Sequence, residues 1–272
     1  MNDNQVTPTN NPETINGLIN EDEETEYTMW RNPIKWFKQQ ITGWHTANYC
    51  LFWFAVGSQL MLLVTGKIDL LSVVTFIGTV LGVLCIVSIN ASKSVNGILG
   101  LISACCLIFV GFKAKNYLSC FEQLAYILTL DLPVILSVKT WNSHTQEHLR
   151  YLTPKKWIWT FISIAIVWVI SSLLIGHFTN DPRPWIDGIT FAVALIAGIL
   201  CFLRYNSMYI LFFINSICSI ILWAVTFVQG GATLAMLVSS CVYLANDIIA
   251  FLVSPWFNKG RRKMGLADAK HE

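Results

Sequence analysis

Eight apolar runs divide the chain, and nearly all of its charge lies between or outside them. The runs fall at about 46–66, 69–90, 96–112, 117–138, 157–177, 185–203, 207–227 and 232–254, close to the ~20 residues a helix needs to cross a bilayer. They are apolar on every side, whereas a helix of a soluble bundle shows one apolar stripe. The pattern predicts an all-α integral membrane protein with eight transmembrane helices. The segment before the first run, 29–45, mixes Trp30, Lys35, Trp36, Phe37, Lys38 and Trp44, the composition of a helix lying in the membrane interface. Residues 1–28 are polar and acidic, with Glu21, Asp22, Glu23, Glu24 and Glu26, and a disordered tail is expected there. No basic segment followed by an apolar core opens the chain, so no signal peptide is expected. Residues 257–272 form a basic tail.

The polar positions inside the runs occur twice. Ile68-Asp69 opens one three-run unit and Ile186-Asp187 opens another. Gly82-Val83-Leu84-Cys85 answers Gly198-Ile199-Leu200-Cys201, Asn90 answers Asn206, Tyr126 answers Tyr243 and Asp131 answers Asp247. Repeat 1 therefore spans 67–141 and repeat 2 spans 185–256, with a loop and linker helix at 142–184 between them. One intervening helix returns the chain to the side it started from. The two repeats are then parallel, joined in a three-plus-one-plus-three plan, with 46–66 as an extra first helix. Duplicated units in a bilayer are a transporter plan, with substrate sites where the repeats meet.

Composition agrees with this reading. Apolar residues make up 54% of the chain and charged residues 12%, against roughly 25% charged in a soluble domain. With the N-terminus placed inside, all 18 Lys and Arg except Lys67, Lys113, Lys115 and Arg183 fall on the inner side. This positive-inside bias predicts a multi-pass protein of the cell membrane with both termini cytoplasmic. Trp44, Trp157, Trp159, Trp185 and Trp256 sit near helix ends, as in the aromatic belts at headgroup level. The eight cysteines all fall within apolar runs and read as small packing residues, not as a disulfide framework.

Catalytic chemistry has one candidate. His144-Thr145-Gln146-Glu147-His148 fits a His-x-x-Glu-His zinc pattern, but it lies in the central loop before Arg150 and Lys155-Lys156 with no clear third ligand. It is read as a solvated connector, and neither a metal nor another cofactor is expected. No phosphate-binding glycine loop, nucleophile elbow or nucleic-acid-binding basic run is present. The chain is expected to be neither an enzyme nor a nucleic-acid binder.

Polarity at bilayer depth carries the functional reading, because such groups are costly and face a bundle interior or a watery cavity. The candidates are Gln59, Asn90, Gln123, Tyr126, Asp131, Asn206, Asn215, Tyr243, Asn246 and Asp247. Gln123, Tyr126 and the Thr129–Asp131 segment share one face of the fourth run, and Tyr243, Asn246 and Asp247 share one face of the eighth. Asn215 stands alone among Phe212, Phe213 and Ile214. Asn90 and Asn206, at predicted helix ends, are assigned to helix–helix hydrogen bonds. Amides, phenols and carboxylates beside Phe212, Phe213 and Tyr209 suit a neutral or cationic molecule with hydroxyls and an aromatic ring. With no Lys or Arg inside the runs, a nucleoside or vitamin fits better than a nucleotide.

Ile68-Asp69 through Gly82–Ile86 and Asn96–Ile102, then Arg204-Tyr205-Asn206 through Phe213-Ile214-Asn215 and Val228-Gln229-Gly230, resemble the two repeats of the PnuC nicotinamide riboside transporters. The resemblance covers about 67–256. It implies seven core helices in a three-plus-one-plus-three plan akin to the SWEET sugar transporters. It implies facilitated-diffusion uptake of nicotinamide riboside, trapped by a cytoplasmic kinase, and a homo-oligomer, a trimer in the family. Gln123, Asn215 and Asn246 match family site positions. The family's Trp-x-x-Trp falls on Met208 and Leu211, and its Asn-x-Tyr-Gly-Trp region on Thr129 to Pro133. The expected substrate site is therefore Gln123, Tyr126, Thr129, Met208, Leu211, Phe212, Asn215, Tyr243, Asn246 and Asp247. Relatives of the family that carry thiamine, riboflavin or deoxynucleosides mark the alternative substrates. A vitamin-binding subunit of a larger pump is the alternative of another class.

Overall fold

A bilayer leaves backbone N–H and C=O groups no water to bond, so each crossing segment closes its hydrogen bonds internally as a helix. The computed structural model describes residues 32–91, 93–136, 152–203, 205, 207–232 and 234–253. Among them are eight helices long and apolar enough to cross a membrane, and no strand. A short helix, α1 (Pro33–Ile41), precedes them. The crossing helices are α2 (Thr46–Thr65), α3 (Leu70–Asn90), α4 (Asn96–Lys113), a fourth span in pieces, α7 (Pro154–Phe178), α8 (Pro184–Phe202), α9 (Met208–Val228) and α10 (Leu234–Val253). The fourth span joins α5 (Tyr117–Tyr126), a π-helical turn (Ile127–Asp131) and α6 (Leu132–Leu136). Described helix ends fall within about one turn of those read from hydropathy. The acidic tail, most of the central loop with His144 and His148, and the basic tail lie outside the described residues.

Local chemistry sets the ends. The Asn32 side chain accepts the Lys35 N–H at 3.1 Å to start α1. Asp69 and Ser72 form a reciprocal capping box at the start of α3, and the Ser72 hydroxyl and N–H hold the exposed Asp69 carboxyl below its ordinary value. Proline at the first helical position begins α7 and α8, where its missing N–H costs nothing. The fourth span is irregular because Pro133 has no N–H to give the preceding turn. The Leu132 N–H reaches back five residues to the Ile127 carbonyl.

Six helices close a ring: α3 packs on α4, α4 on α5, α5 on α8, α8 on α9, α9 on α10, and α10 again on α3. The extra helix α2 lies outside the ring against α3 and α10, and α7 lies outside against α8 and α5. Gln59 ties α2 to α10, donating to the Ala235 carbonyl and the Ser239 hydroxyl, both at 3.0 Å. On α7, Ile158, Trp159, Phe161, Ile166, Leu173 and Leu174 are exposed, the surface expected of a helix that turns most of its circumference to lipid. Small residues let helices approach closely: a Cβ on Gly188 of α8 would strike Ser172 and Trp168 of α7.

A buried polar clasp fastens the ring at one end. Arg183, just before α8, donates to the Ala114 carbonyl at 2.8 Å and to Asn116 Oδ1 at 2.6 and 3.1 Å, and also bonds Gln229 after α9. Asn116 Nδ2 in turn reaches Thr226 of α9 at 3.2 Å. Burial pushes the Asp181 carboxyl up and the Arg183 guanidinium down, while their opposite charges offset part of each effect. Asp187 accepts the Leu118 N–H and the Ser119 hydroxyl, both at 2.6 Å. It caps the start of α5 from a neighbouring helix, supplying negative charge where the helix dipole favours it. Asp69 and Asp187, which open the two duplicated units in sequence, thus do different work: one caps its own helix at the surface, the other caps a different helix in the interior.

Asp187→Ala leaves two buried donors unpaired and is expected to cost about 2–4 kcal/mol. The check is the thermal unfolding midpoint of the protein in detergent, which should fall clearly. An unchanged midpoint would mean the clasp contributes nothing to stability.

Candidate functional site

The ring encloses a cavity of about 190 Å³. Its wall comes from α3, α4, α5, the π turn, α9 and α10, while α8 contributes no lining residue. Among the described residues, three carboxyl side chains line it, Glu122, Asp131 and Asp247, and no Lys, Arg or His does. On one side Asn215 of α9 donates from Nδ2 to Glu122 Oε1 at 3.0 Å and to the Tyr126 hydroxyl at 3.2 Å, joining α9 to α5. On another, Asn90 of α3 donates to Asn246 Oδ1 of α10 at 2.7 Å. Ser216 donates to Asp247 Oδ2 at 2.6 Å. These polar groups are thus shared between two helices, which is how intramembrane polarity is made tolerable.

Backbone proximity shapes the wall. The Asp131 carboxyl lies directly against Gly100 of α4, and the Tyr243 hydroxyl against Gly82 of α3, where a Cβ would collide. Asp131 ends the π turn, a local geometry often found at functional positions. The Phe212 ring stands 6.4 Å from Tyr126 and 6.2 Å from Tyr209, edge-on to the latter. Trp223 and Met236 are further apolar lining residues.

The structure gathers Gln123, Tyr126, Phe212, Asn215, Tyr243, Asn246 and Asp247 around this one cavity. It removes three expected residues from the wall. Met208 and Leu211 are fully buried in a core cluster with Ile164, Ala192, Val193 and Ala197. Leu211 is one residue, roughly 100°, round the helix from Phe212 and packs in the core, and Met208 is buried at the first residue of α9. Thr129 donates to the Ala125 carbonyl and packs against Gly198 of α8, outside the cavity lining. Phe213 likewise packs on Phe251, its ring 6.1 Å away, and not on the cavity. Asn90, assigned from sequence to helix packing, does that work and lines the cavity as well; Asn206 lies outside the described residues.

Glu122 escaped the sequence reading, although it is the only charged residue between Tyr117 and Leu130. It stands one turn before Tyr126, on the same helix face. The rule that an ionisable residue inside a span is functional by default would have singled it out. Trp223 and the serines Ser103, Ser219, Ser239 and Ser240 carry no such signal, since they look like ordinary packing residues until the ring closes.

A polar, ring-enclosed cavity within an all-helical multi-pass membrane protein defines a membrane transport protein. Residues 72–258 match the family described as Nicotinamide mononucleotide transporter, and the chain belongs to that family. It is 27% identical over 234 residues to the nicotinamide riboside transporter PnuC of Neisseria mucosa, covering 80% of this chain and 85% of that one. It is 28% identical over 153 residues to the nicotinamide riboside transporter PnuC of Haemophilus influenzae, covering 53% of this chain and 66% of that one. The fold is similar to a crystal structure of the vitamin B3 transporter PnuC, with a TM-score of 0.67 at 23% identity over 80% of this chain and 95% of that one.

Gly82→Ala places a methyl group against the Tyr243 hydroxyl and Ser103, and overpacking of this kind costs about 1–3 kcal/mol. Thermal unfolding should show that loss. The double variant with Tyr243→Phe should recover most of it, because the colliding oxygen is gone. A double variant no more stable than Gly82→Ala would mean that α3 and α10 do not meet at this point.

Proposed function

We propose that the protein takes up nicotinamide riboside across the cell membrane by facilitated diffusion through the ring cavity, with the vitamin trapped inside by a cytoplasmic kinase. The observation that carries this reading is the lining itself: amides, phenols and carboxyls beside aromatic rings and, among the described residues, no basic side chain to pair a phosphate. That chemistry favours a nucleoside over a nucleotide, because a phosphate entering it would meet three carboxyl groups at low dielectric. The names of the relatives point the same way. Gln123, Asn215 and Asn246 are assigned to hydrogen bonds with the carboxamide and ribose, Tyr126, Phe212 and Tyr243 to ring and hydroxyl contacts, and Asp247 to a ribose hydroxyl.

The transport plan rests on two parallel three-helix repeats, α3 to the fourth span and α8 to α10, linked by α7, with α2 as an addition. A matched pair of contacts supports it. Gly82 on α3 meets α10, and its sequence counterpart Gly198 on α8 meets the fourth span at Thr129. Two such halves rocking about the cavity give alternating access. Cytoplasmic termini follow from the distribution of Lys and Arg, and a trimer is the assembly expected of the family.

Met208 and Leu211 stand where the family carries tryptophans, so thiamine, riboflavin and deoxynucleosides define the alternative substrates. Equilibrium binding of the purified protein should show nicotinamide riboside bound and its mononucleotide, thiamine, riboflavin and thymidine not bound. Asn215→Leu and Gln123→Leu should each weaken that binding at least tenfold; Gln123→Leu should leave the unfolding midpoint little changed, whereas Asn215→Leu, which takes a donor from the buried Glu122, should lower it. Binding of another member of the panel in its place would reassign the substrate. Binding without flux in liposomes would instead mark a capture subunit.

A further inference from the structure

The cavity contains an acidic side chain without a cationic partner and an unused acceptor side by side. Glu122 is only 7% exposed. Its two partners, Asn215 Nδ2 at 3.0 Å and the neighbouring Tyr126 hydroxyl, are neutral. They satisfy lone pairs but supply no positive charge, and among the described residues no Lys, Arg or His lines the cavity. A carboxylate taken out of water without a cation is expensive, so a cation arriving beside it is strongly favoured and little screened by salt. Asn215, also 7% exposed, commits its Nδ2 to Glu122 and Tyr126, while its Oδ1 is buried with no hydrogen-bond partner. A buried orphan acceptor of this kind calls for a donor. The hydrogen bond to Glu122 fixes which end of the amide is the oxygen.

The other two carboxyl groups are placed differently. Asp131 is wedged against the Gly100 backbone, and Asp247 is held by the Ser216 hydroxyl at 2.6 Å. Glu122 bonds the hydroxyl of Tyr126, whose ring pairs with Phe212 at 6.4 Å, so a planar ring can lie beside it. Resting on the function proposed above, we propose that Glu122 is the counter-ion that selects a positively charged heteroaromatic ring, and that Asn215 Oδ1 accepts a hydrogen bond from an N–H or O–H carried by the same ligand. Nicotinamide riboside has both features, a pyridinium ring and a carboxamide. Its reduced dihydro form keeps the carboxamide and ribose but has an uncharged ring.

The experiment compares binding of these two forms to the full-length protein in detergent. The wild type should bind the cationic form at least tenfold more tightly than the reduced one. Glu122→Gln, close in shape, should erase that preference chiefly by weakening the cationic form. A wild type that binds both forms equally overturns the inference even if no variant folds, while leaving nicotinamide riboside as the substrate. The same holds for a Glu122→Gln protein that keeps the wild-type preference. Binding of neither form overturns the proposed function, and this inference with it.

Discussion

Everything in this molecule depends on the cost of leaving a polar group unpaired where there is no water. Helices meet that cost for the backbone. For side chains, it is met by pairing across helix boundaries: Gln59 with Ser239, Asn90 with Asn246, Asn116 with Thr226, Asn215 with Glu122 and Ser216 with Asp247. All of these pairs except Ser216 with Asp247 join parts of the chain distant in sequence, and those between ring helices also hold the ring closed. Among the described residues that line the cavity, Asn215 Oδ1 is the buried side-chain atom that this pairing leaves without a partner.

The two ends of the ring are held unequally. At one end the Arg183 and Asp187 clasp gathers the start of the fourth span, the start of α8 and the end of α9 into a single buried network. Near the other, α1 lays Trp36 against Cys85, Val95 and Leu99, and its Gln40 accepts from Ser94 and the Val95 N–H at the start of α4. The clasp rests on short charge-assisted hydrogen bonds, the α1 contact on apolar packing and bonds of 3.4 Å.

Hydropathy alone located the eight crossing helices found among the described residues, because the bilayer sets both a length and a composition that few other structures satisfy. Polar spacing on the fourth and eighth runs also located the right cavity faces: Gln123, Tyr126, Tyr243, Asn246 and Asp247 all reach it. Local pattern failed where a side chain's surroundings belong to another part of the chain. The family's motif points to Met208 and Leu211 as site residues, yet helix rotation and the proximity of α8 make them core. Thr129 was placed there as part of a polar segment, but the π turn before Pro133 directs it to Gly198.

The sequence by itself determined the membrane class, the number and bounds of the helices and the apolar-to-polar rhythm of their faces, since these follow from the solvent and from 3.6-residue geometry. Only the tertiary structure decided that six of the helices close a ring, that α8 stays out of the cavity wall, and that Asp69 and Asp187 part company in role. It alone set Glu122 beside Asn215 and left that amide an open acceptor. These outcomes depend on which helices become neighbours, and hydrogen bonds between residues far apart in the chain make that choice, which no local pattern records.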